Sequence, residues 1–596
     1  MTGLRRDQMF DDMDGKFVCR LRSHRTSFMS SKSRGVEVTV QSSAAILDAQ
    51  FDLQVLDRLH DPCFIAIRRP SSDHECYLIY EVVGVKGIHL QELGVDPAMP
   101  KVLREEFLQT IEKGWEDSKE NWIDITSVPM GHLVRVSDEK IEFERTRLTP
   151  LTGTRAHLLS LKATREFVCA EKGSEIGTLL GYGLPFTVRV PDLVRYHTGV
   201  FGFTGVGKSN LVASLVRRAL EFMGDLRVVI FDLSGEYIVN LLDIMDRGSI
   251  LTTEPEIVED PRALVDSQIV PETLEASLGG TEPLEKALID LHTKGAVRKL
   301  ELSLPELTDP TLSLVTNFLT RAHELGKAGA ASSAALIRIE DLKRQHGLKE
   351  NTPLREIIAK GSLKSELVQT LQSFRASVHQ MSAEAKEADS LLDFLANPPM
   401  GTARGREEVD ELTRPEDLAE AVLSEGAPKL TVVYIPDQYD ARDSVARYID
   451  RLLDVKKRGL SKVNVLTVLD EAQEFIPDRT SARDKTEDSS VAVESLLRQG
   501  RKYRAGCWLS TQRVAHLNVN ALQQLHSYFA STLPRLYDRI VVADAYSLDY
   551  EVLDRLAELE IGEWLFVSYK ASKMRNVPVF LRAVNNEDNL IRYLRP

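Results

Sequence analysis

The feature that most constrains the fold is a glycine-containing run, Gly202-Phe203-Thr204-Gly205-Val206-Gly207-Lys208-Ser209, which follows the pattern G-x-x-x-x-G-K-[ST]. An apolar stretch, HTGVFG, leads into it and an amphipathic stretch, NLVASLVRRALEFMG, follows it. The next stretch, LRVVIFDLSGEY, is again typical of a strand. Strand, glycine loop, helix and strand in this order predict a βαβ unit, and therefore an α/β fold with a parallel sheet.

The residues of this loop are suited to bind phosphate groups. Glycines let backbone N–H groups wrap the phosphates, and the helix N-terminus adds a favourable dipole. We expect Lys208 to neutralise the β/γ oxygens of ATP and the Ser209 hydroxyl to coordinate Mg²⁺. The predicted nucleotide-binding residues are Gly202, Thr204, Gly205, Val206, Gly207, Lys208 and Ser209.

A second motif, VNVLTVLDEAQEF, is an apolar strand that ends in two carboxylates, Asp470 and Glu471. Continuous apolar strands of this kind are buried on both faces of a parallel sheet. Because the chain also contains the phosphate-binding loop, the motif is interpreted as a Walker B strand. Asp470 is then predicted to hold the Mg²⁺ shell, and Glu471 to orient and polarise the attacking water.

A third motif, LRQGRKYRAGCWLSTQR, places a basic helix end before a short strand. The strand finishes near Gln512, and a polar residue at this point beside the nucleotide crevice is a candidate γ-phosphate sensor. The basic residues before the strand, Arg498, Arg501, Lys502 and Arg504, allow two interpretations. They form a solvated helical face, or one of them stabilises the charge that phosphoryl transfer spreads over the γ-phosphate of a neighbouring subunit.

Before the glycine loop, residues 1–180 are predicted to form a small β domain. Strand-like pieces occur at FVCRLRS, GVEVTVQ, CFIAIRR, CYLIYEVVGV, HLVRV, IEFERTRL and LPFTVRV, and a charged helix from Lys101 to Glu120 interrupts them. The first part of the α/β core is predicted at 181–255.

After the glycine-loop region, apolar residues recur at helical spacing, as in LEKALIDLHTKGAVRKL, and predict an all-helical insertion at 256–428. A polar stretch, NPPMGTARGREEVDE, is predicted to link it back to the core, whose second part is expected at 429–575. Residues 576–596 are predicted to be a C-terminal extension. The charged stretch PDRTSARDKTEDSS is predicted to be a mobile loop.

Composition limits the possible functions of the chain. Its 596 residues indicate several domains, and 43% hydrophobic with 28% charged residues is typical of a folded, water-soluble protein. No apolar run is long enough for a membrane span, so a cytoplasmic protein is expected. The net charge of −14 disfavours a surface that grips phosphates throughout, so any DNA contact must be local. The five scattered cysteines predict buried free thiols rather than disulfides or zinc ligands.

Together, GFTGVGKSN after His197, VVIFDLSGEY, TVLDEAQEF and RQGRKYRAGCWLSTQR resemble the HerA family, in the HerA/FtsK branch of P-loop ATPases. The similarity covers about residues 170 to 255 and 430 to 570. It implies a homo-hexameric ring with an N-terminal β-barrel, a RecA-like P-loop ATPase core interrupted by a helical domain, and double-stranded DNA passing through the centre.

The resemblance also implies roles for further residues. Asn210 joins the nucleotide-binding set, and Asp232 and Glu236 become active-site carboxylates, although a strand-end cap is the alternative for Asp232. Arg501 is the first choice for an arginine finger that acts on a neighbouring subunit, with Arg498 as the alternative. One departure is that the family's proline after the sensor Gln-Arg pair is replaced by Val514.

Three functions are compatible with these motifs. The first is an ATP-dependent duplex DNA translocase or helicase that drives a nuclease of the NurA kind in DNA-end processing. The second retains the motor but pairs it with an effector enzyme in antiphage defence. The third, which the acidic composition favours, is an ATP-dependent switch or scaffold ring that does not move DNA.

Overall fold

The computed structural model describes residues 4–33, 36–71, 75–94, 99–115, 120–136, 141–302, 311–324, 329–349, 352–378, 383–396, 412–459, 461–546 and 548–595. The chain divides into two compact units. One comprises Met1–Leu302 with Leu412–Pro596, and the other is Ser303–Glu411. The polar linker predicted at 397–411 lies outside the described residues.

The first part of the chain forms an antiparallel sheet in the order β2-β1-β7-β3-β4-β5-β6. Because β2 also pairs with β5, six of these strands close on themselves around an apolar core that includes Leu47, Ile65, Leu78 and Ile125. The strands are β1 Cys19–Ser33, β2 Val36–Gln50, β3 Phe64–Arg69, β4 Glu75–His89, β5 Asn121–Val136, β6 Ile141–Arg145 and β7 Arg155–Leu158. The helices beside them are α1 Leu53–His60, α2 Lys101–Gly114 and α3 Leu161–Val168. The predicted charged helix is therefore present, as α2.

The second sheet has the order β14-β13-β12-β15-β11-β16-β17-β10-β18-β19-β20-β8-β9. Its pairs from β14 to β18 are parallel and those from β18 to β9 antiparallel. Its strands are β8 Ser174–Leu179, β9 Pro185–Val188, β10 Thr198–Phe201, β11 Leu226–Asp232, β12 Ile250–Thr252, β13 Val297–Leu300, β14 Leu412–Thr413, β15 Leu430–Tyr434, β16 Asn464–Leu469, β17 Ala505–Thr511, β18 Ser527–Ala530, β19 Glu563–Ser568 and β20 Val579–Ala583. The predicted α/β fold with a parallel sheet is confirmed.

The helices of this unit connect the parallel strands, as the βαβ pattern requires. Helix α5 buries Leu211, Leu215 and Ala219, which recur at helical spacing. The helices are α4 Val190–Arg195, α5 Lys208–Phe222, α6 Tyr237–Asn240, α7 Pro255–Glu259, α8 Pro261–Asp266, α9 Glu272–Leu278, α10 Glu282–Thr293, and, after the second unit, α16 Pro415–Ala421, α17 Gln438–Lys457, α18 Thr486–Gln499, α19 Val519–Leu522, α20 Leu536–Tyr546, α21 Tyr550–Asp554 and α22 Glu587–Leu594.

Within its described residues, the second unit consists of helices around its own apolar core, with Phe318 and Phe374 in edge-to-face contact. Its helices are α11 Leu312–Glu324, α12 Gly329–His346, α13 Leu354–Ala359, α14 Gly361–Arg375 and α15 Ala383–Ala396. The unit spans fewer residues than the predicted insertion at 256–428. Residues on both sides of it, including β13 and β14, belong to the large sheet. These strands are too short to interrupt the helical periodicity of the surrounding sequence.

Two predicted boundaries are also wrong. Strand β8 lies within the β domain predicted for 1–180, but it pairs with β9 and β20 and therefore belongs to the large sheet, together with β9 of the core predicted at 181–255. The predicted extension at 576–596 supplies β20, which lies between β19 and β8. An alternating pattern predicts a strand but does not encode its hydrogen-bond partner, which explains both errors.

Part of the predicted mobile loop is helical. Helix α18 begins at Thr486, and the buried Ser489 donates a hydrogen bond of 2.7 Å to the Phe475 carbonyl. The five cysteines are free and buried, as predicted. Among the described residues, no helix is both long and apolar enough to cross a membrane.

The buried side chain of Arg217 joins the C-terminal segment to the helix that follows the glycine loop. On α5, the Arg217 guanidinium donates to both carboxylate oxygens of Asp243 and, over 2.6 Å, to Asn586 Oδ1. Asn586 in turn donates through Nδ2 to the Asn240 carbonyl, at 2.8 Å. These contacts fix α5 relative to the chain just before α22.

We expect Arg217→Met to lower the free energy of unfolding by about 3 kcal/mol, since Asp243, whose side chain is only 15% exposed, would lose its cation. The matched control is Arg218→Met, whose side chain is 35% exposed and pairs with Glu221, and which should cost about 1 kcal/mol or less. Urea unfolding followed by circular dichroism measures both changes. Equal stability of the two variants would contradict a role for Arg217 in holding the C-terminal segment.

Candidate nucleotide site

The glycine loop lies between β10 and α5, at the carboxyl end of a central strand. Gly205 and Gly207 have φ values of 85° and 94°, in the left-handed region that favours glycine. Gly207 precedes the first residue of α5, so the free N–H groups of the helix face the loop. Lys208 Nζ is 3.3 Å from the Phe203 carbonyl, which holds the amine over the loop.

A cavity of about 770 Å³ opens at this loop and collects the predicted motifs in one place. Its lining includes Thr204, Gly205, Gly207, Lys208, Ser209, Asn210, Glu236, Asp470, Glu471 and Gln512. These residues follow β10, β11, β16 and β17, which are parallel neighbours, so their carboxyl ends meet at one edge of the sheet. A crevice at this edge is where open α/β sheets bind ligands.

Carboxylates crowd the floor of the cavity. Burial, together with the smaller effect of the neighbouring charges of Asp232, Glu471 and Glu236, raises the pKa of Asp470 to about 8. Glu236 accepts a hydrogen bond from the Ser209 hydroxyl. The cavity therefore has an excess of negative charge that a bound cation would relieve.

Asp232 has the geometry of the strand-end cap and not that of a pocket residue. Its side chain accepts hydrogen bonds of 2.9 Å from the backbone N–H groups of Ser234, Gly235 and Tyr237. Burial raises its pKa to about 6, although these three hydrogen bonds act in the opposite direction. Asp232 thus shapes the loop that carries Glu236 but does not itself line the cavity.

Glu471 stands at a strained backbone position. Its φ of 48° is in the left-handed region, which is unfavourable for a residue with a Cβ and is found most often at functional sites. Its carboxylate accepts a hydrogen bond of 2.8 Å from Gln473 Nε2. Gln473 Oε1 accepts in turn from the Thr511 hydroxyl, at 2.5 Å. Gln473 therefore connects Glu471 to the strand that ends beside Gln512.

Gln512 contacts the glycine loop directly. Its Oε1 accepts a hydrogen bond from the Thr204 hydroxyl. The parallel register places Phe201 opposite Thr511, so the residues that follow each strand are neighbours. Gln512 therefore lies next to the glycine loop, and its role as a γ-phosphate sensor stays a prediction.

Arg501 and Arg498 are not part of this cavity. Arg501 precedes β17 and its guanidinium lies 4.6 Å from the centroid of the Tyr196 ring, before β10. This is the amino edge of the parallel strands, about 20 Å from the nucleotide cavity at 3.3 Å per residue. Arg498 is exposed and lies 3.6 Å from Glu494. Neither arginine can therefore reach the glycine loop of its own chain.

The C-terminal segment contributes pocket residues that the sequence motifs did not reveal. Arg582, Asn585 and Glu587 line the cavity. Arg582 pairs with Glu560 at 2.9 Å and Glu563 at 2.8 Å, and Asn585 Oδ1 accepts from Asn210 Nδ2 at 2.8 Å. The only available signal was the strand-like VFLRAV followed by polar NNED.

Among the described residues, no group of three or more His, Cys, Asp or Glu side chains could hold a metal ion alone. Mg²⁺ in nucleotide sites is usually held by one or two carboxylates together with the phosphates and water. The Ser209 hydroxyl and the crowded carboxylates beside it fit that requirement.

The chain resembles known proteins in the region of this site. Residues 174–385 match the family model described as Helicase HerA, central domain. The DNA double-strand break repair helicase HerA of Saccharolobus solfataricus is 24% identical over 423 residues, covering 70% of this chain and 71% of that protein. The protein of the same name from Pyrococcus furiosus is 24% identical over 445 residues, with coverage of 70% and 71%.

Solved structures give weaker matches. VirB4 of Thermoanaerobacter pseudethanolicus has a TM-score of 0.38 and 14% identity, covering 71% of this chain and 99% of that one. The genome packaging NTPase of Sulfolobus turreted icosahedral virus 2 has a TM-score of 0.20 and 15% identity, covering 28% and 71%.

The glycine loop, the buried strand with paired carboxylates and the family match define a P-loop ATP hydrolase. Within that class the chain is similar to the helicase HerA, which confirms the resemblance indicated by its motifs.

The contacts of Gln473 generate a prediction. Gln473→Leu retains the size of the side chain but removes both hydrogen bonds, so Glu471 loses its orientation. We expect kcat for ATP hydrolysis to fall about 10-fold, as is typical when an orienting partner is lost, with a smaller change in KM. The control, Gln372→Leu, alters an exposed amide of α14 and should hydrolyse ATP normally. Equal kcat values for the two variants would show that Gln473 does not position Glu471.

Proposed function

We propose that the chain is an ATP-driven motor that moves along double-stranded DNA as a ring of six copies. The observation that carries the proposal is the single cavity in which Lys208, Asp470, Glu471 and Gln512 converge, within a chain similar to HerA. The relatives are named as DNA double-strand break repair helicases, which supports DNA as the substrate.

The parts of the chain have separate roles in this proposal. The closed antiparallel strands up to Leu158 are the N-terminal β-barrel, and the sheet that begins at Ser174 is the RecA-like core. The helical unit Ser303–Glu411 is the insertion that interrupts this core. A cytoplasmic location agrees with a protein that acts on DNA.

The residues of the cavity suggest how hydrolysis proceeds. Lys208 and the backbone N–H groups of the loop bind the β- and γ-phosphates. Ser209 and Asp470 would hold Mg²⁺, which neutralises the developing phosphate charge when bound. Glu471 accepts a proton from the attacking water and orients it, and Gln512 contacts the γ-phosphate. Asp232 keeps the Glu236 loop in position.

The position of Arg501 supports the proposed ring. The cavity has Lys208 on one side of the phosphates, whereas Arg501 lies at the opposite edge of the sheet. An arginine finger of this chain must therefore act on the nucleotide of another copy. A closed ring lets every copy both give and receive a finger.

Two kinds of partner protein are proposed. A nuclease of the NurA type suits the relatives' role in double-strand break repair, since break repair requires processing of DNA ends. An effector enzyme of antiphage defence is the other candidate. Co-purification from cells, with the captured chain identified by mass spectrometry, distinguishes a nuclease from another effector.

A scaffold ring that hydrolyses ATP without moving DNA is the second candidate function. The net charge of −14 favours it, because a polyanion is repelled by most of the surface. The two functions differ in the response of hydrolysis to DNA.

We expect duplex DNA to increase ATP hydrolysis at low salt, and the increase to disappear steeply as salt rises, because phosphate contacts release counterions. Lys208→Ala should abolish hydrolysis with and without DNA while the fold survives. A coupled ATPase assay beside native mass spectrometry measures turnover and assembly. If duplex DNA does not change the rate of ATP hydrolysis by intact rings at any salt concentration, the scaffold function is favoured.

Mixed rings test whether Arg501 acts on the neighbouring copy. We expect Arg501→Ala to lower kcat by about 10³ to 10⁵ with far less effect on ATP affinity. Glu471→Gln should bind ATP without hydrolysing it. Rings mixed from the two variants contain interfaces where an intact Arg501 meets an intact Glu471, so part of the activity should return. No recovery in rings shown to be mixed would argue for Arg498, which the same experiment tests.

A further inference from the structure

A second cavity, of about 510 Å³, lies at the amino edge of the large sheet, away from the nucleotide site. We call its charged part the cationic pocket and define it by Arg145, His526, Tyr569, Lys570 and Arg575. His526 precedes β18, and Tyr569 and Lys570 follow the antiparallel β19. Ser527 pairs with Ser568, which brings these segments together.

The cations of this pocket lack acidic partners. Within the described part of the chain, Arg145, Lys570 and Arg575 form no ion pair with a carboxylate. Some other arginines are paired, as Arg217 is with Asp243 and Arg447 with Glu416, whereas these three cations line a single cavity. In a chain of net charge −14, three unpaired cations around one cavity indicate a site for an anion.

The loop that carries Lys570 and Arg575 is held in place by hydrogen bonds. The Tyr569 N–H donates to the His526 carbonyl, and the Asn576 N–H to the Ser568 carbonyl, both at 2.9 Å. The Arg189 guanidinium donates to the carbonyls of Lys570 and Ser572. The pocket is therefore preorganised, which lowers the entropic cost of binding.

The pocket adjoins the proposed arginine finger through one aromatic ring. Arg501 lies 4.6 Å and Lys570 Nζ 5.6 Å from the centroid of the Tyr196 ring. The Tyr196 and His526 rings are 5.2 Å apart. Burial lowers the pKa of His526, and the charges of Arg501 and Lys570 lower it further, so both cations are close to this ring. A ligand that contacts Arg501 is therefore also close to Lys570.

The anion cannot be the nucleotide of the same chain. The residue before β19, Gly562, lines the nucleotide cavity, whereas Lys570 follows the other end of this strand. A six-residue strand spans about 20 Å, which is beyond the reach of a lysine side chain. Cations that converge on one cavity suit a compact polyanion, and a nucleotide polyphosphate has that charge density.

We propose that the cationic pocket is the second half of the ATP site, in which Lys570, supported by Arg575 and Arg145, contacts the polyphosphate of the nucleotide bound to the adjacent copy. The inference rests on the proposed ring. Lys570 acts there beside Arg501 and stabilises the negative charge of the transferring phosphoryl group, and it forms no covalent bond.

Complementation in mixed rings tests the proposal. Lys570→Ala should lower kcat without DNA by about 10-fold or more, since it removes a charge that stabilises the transition state. Lys573→Ala is the matched control, because Lys573 lies in the same loop but pairs with Glu166 at 2.6 Å and Glu171 at 3.2 Å. Its rings should hydrolyse ATP at the unaltered rate.

Two mixtures then locate Lys570. In rings of Lys570→Ala and Glu471→Gln copies, about one interface in four has both residues intact, so activity should return in part. In rings of Lys570→Ala and Arg501→Ala copies, every interface lacks one of two cations that belong to the same face. No activity should return there.

The possible failures are distinguishable. If unaltered rings hydrolyse ATP and Lys570→Ala rings do so equally well, the inference is wrong and the proposed function stands. The same holds if Lys570→Ala leaves hydrolysis intact but reduces the salt dependence of duplex DNA binding by about one phosphate contact, which would assign the pocket to DNA. Absence of ATP hydrolysis or of rings in the unaltered protein would overturn the proposed function itself, and the inference with it.

Discussion

The nucleotide site depends on the in-register hydrogen bonding of β11, β16, β17 and β10. Because these strands are parallel, the residues after each of them emerge at the same edge of the sheet. A shift of one residue would turn every side chain of a strand to the other face and would separate Gln512 from Thr204.

Electrostatics supplies the second constraint. Glu236 accepts a hydrogen bond from the Ser209 hydroxyl, Asp470 and Glu471 line the same cavity, and burial with the neighbouring carboxylates raises the pKa of Asp470 to about 8. Crowded acids of this kind oppose folding unless they are protonated or neutralised by a cation. The carboxylates therefore favour a ligand that carries a cation. Lys208 and the loop N–H groups are placed to bind the negatively charged phosphates.

Because the central strands run parallel, the cationic side chains lie at opposite edges of the sheet. Lys208 stands at the carboxyl edge, and Arg501 and Lys570 at the amino edge, around the Tyr196 ring. On the proposed function, a single copy would hold both halves of a phosphate-binding arrangement but could not use them on one nucleotide. An assembly in which the amino edge of one copy faces the carboxyl edge of the next would bring them together, and this gives a physical reason for a ring.

Local pattern in the sequence was sufficient for the central strands and the phosphate-binding loop, but it missed the short β13 and β14 and the start of α18. The glycine loop, the VLDE strand and the STQ strand each carry a signal within a few residues, and all three meet in one cavity as expected. Only the tertiary structure decided which sheet the strands at Ser174–Leu179 and Val579–Ala583 join, that Arg582 reaches the nucleotide site, and that Asp232 caps a loop. Those features depend on contacts between residues hundreds of positions apart, and periodicity along a chain specifies which face of an element is buried but not what it is buried against.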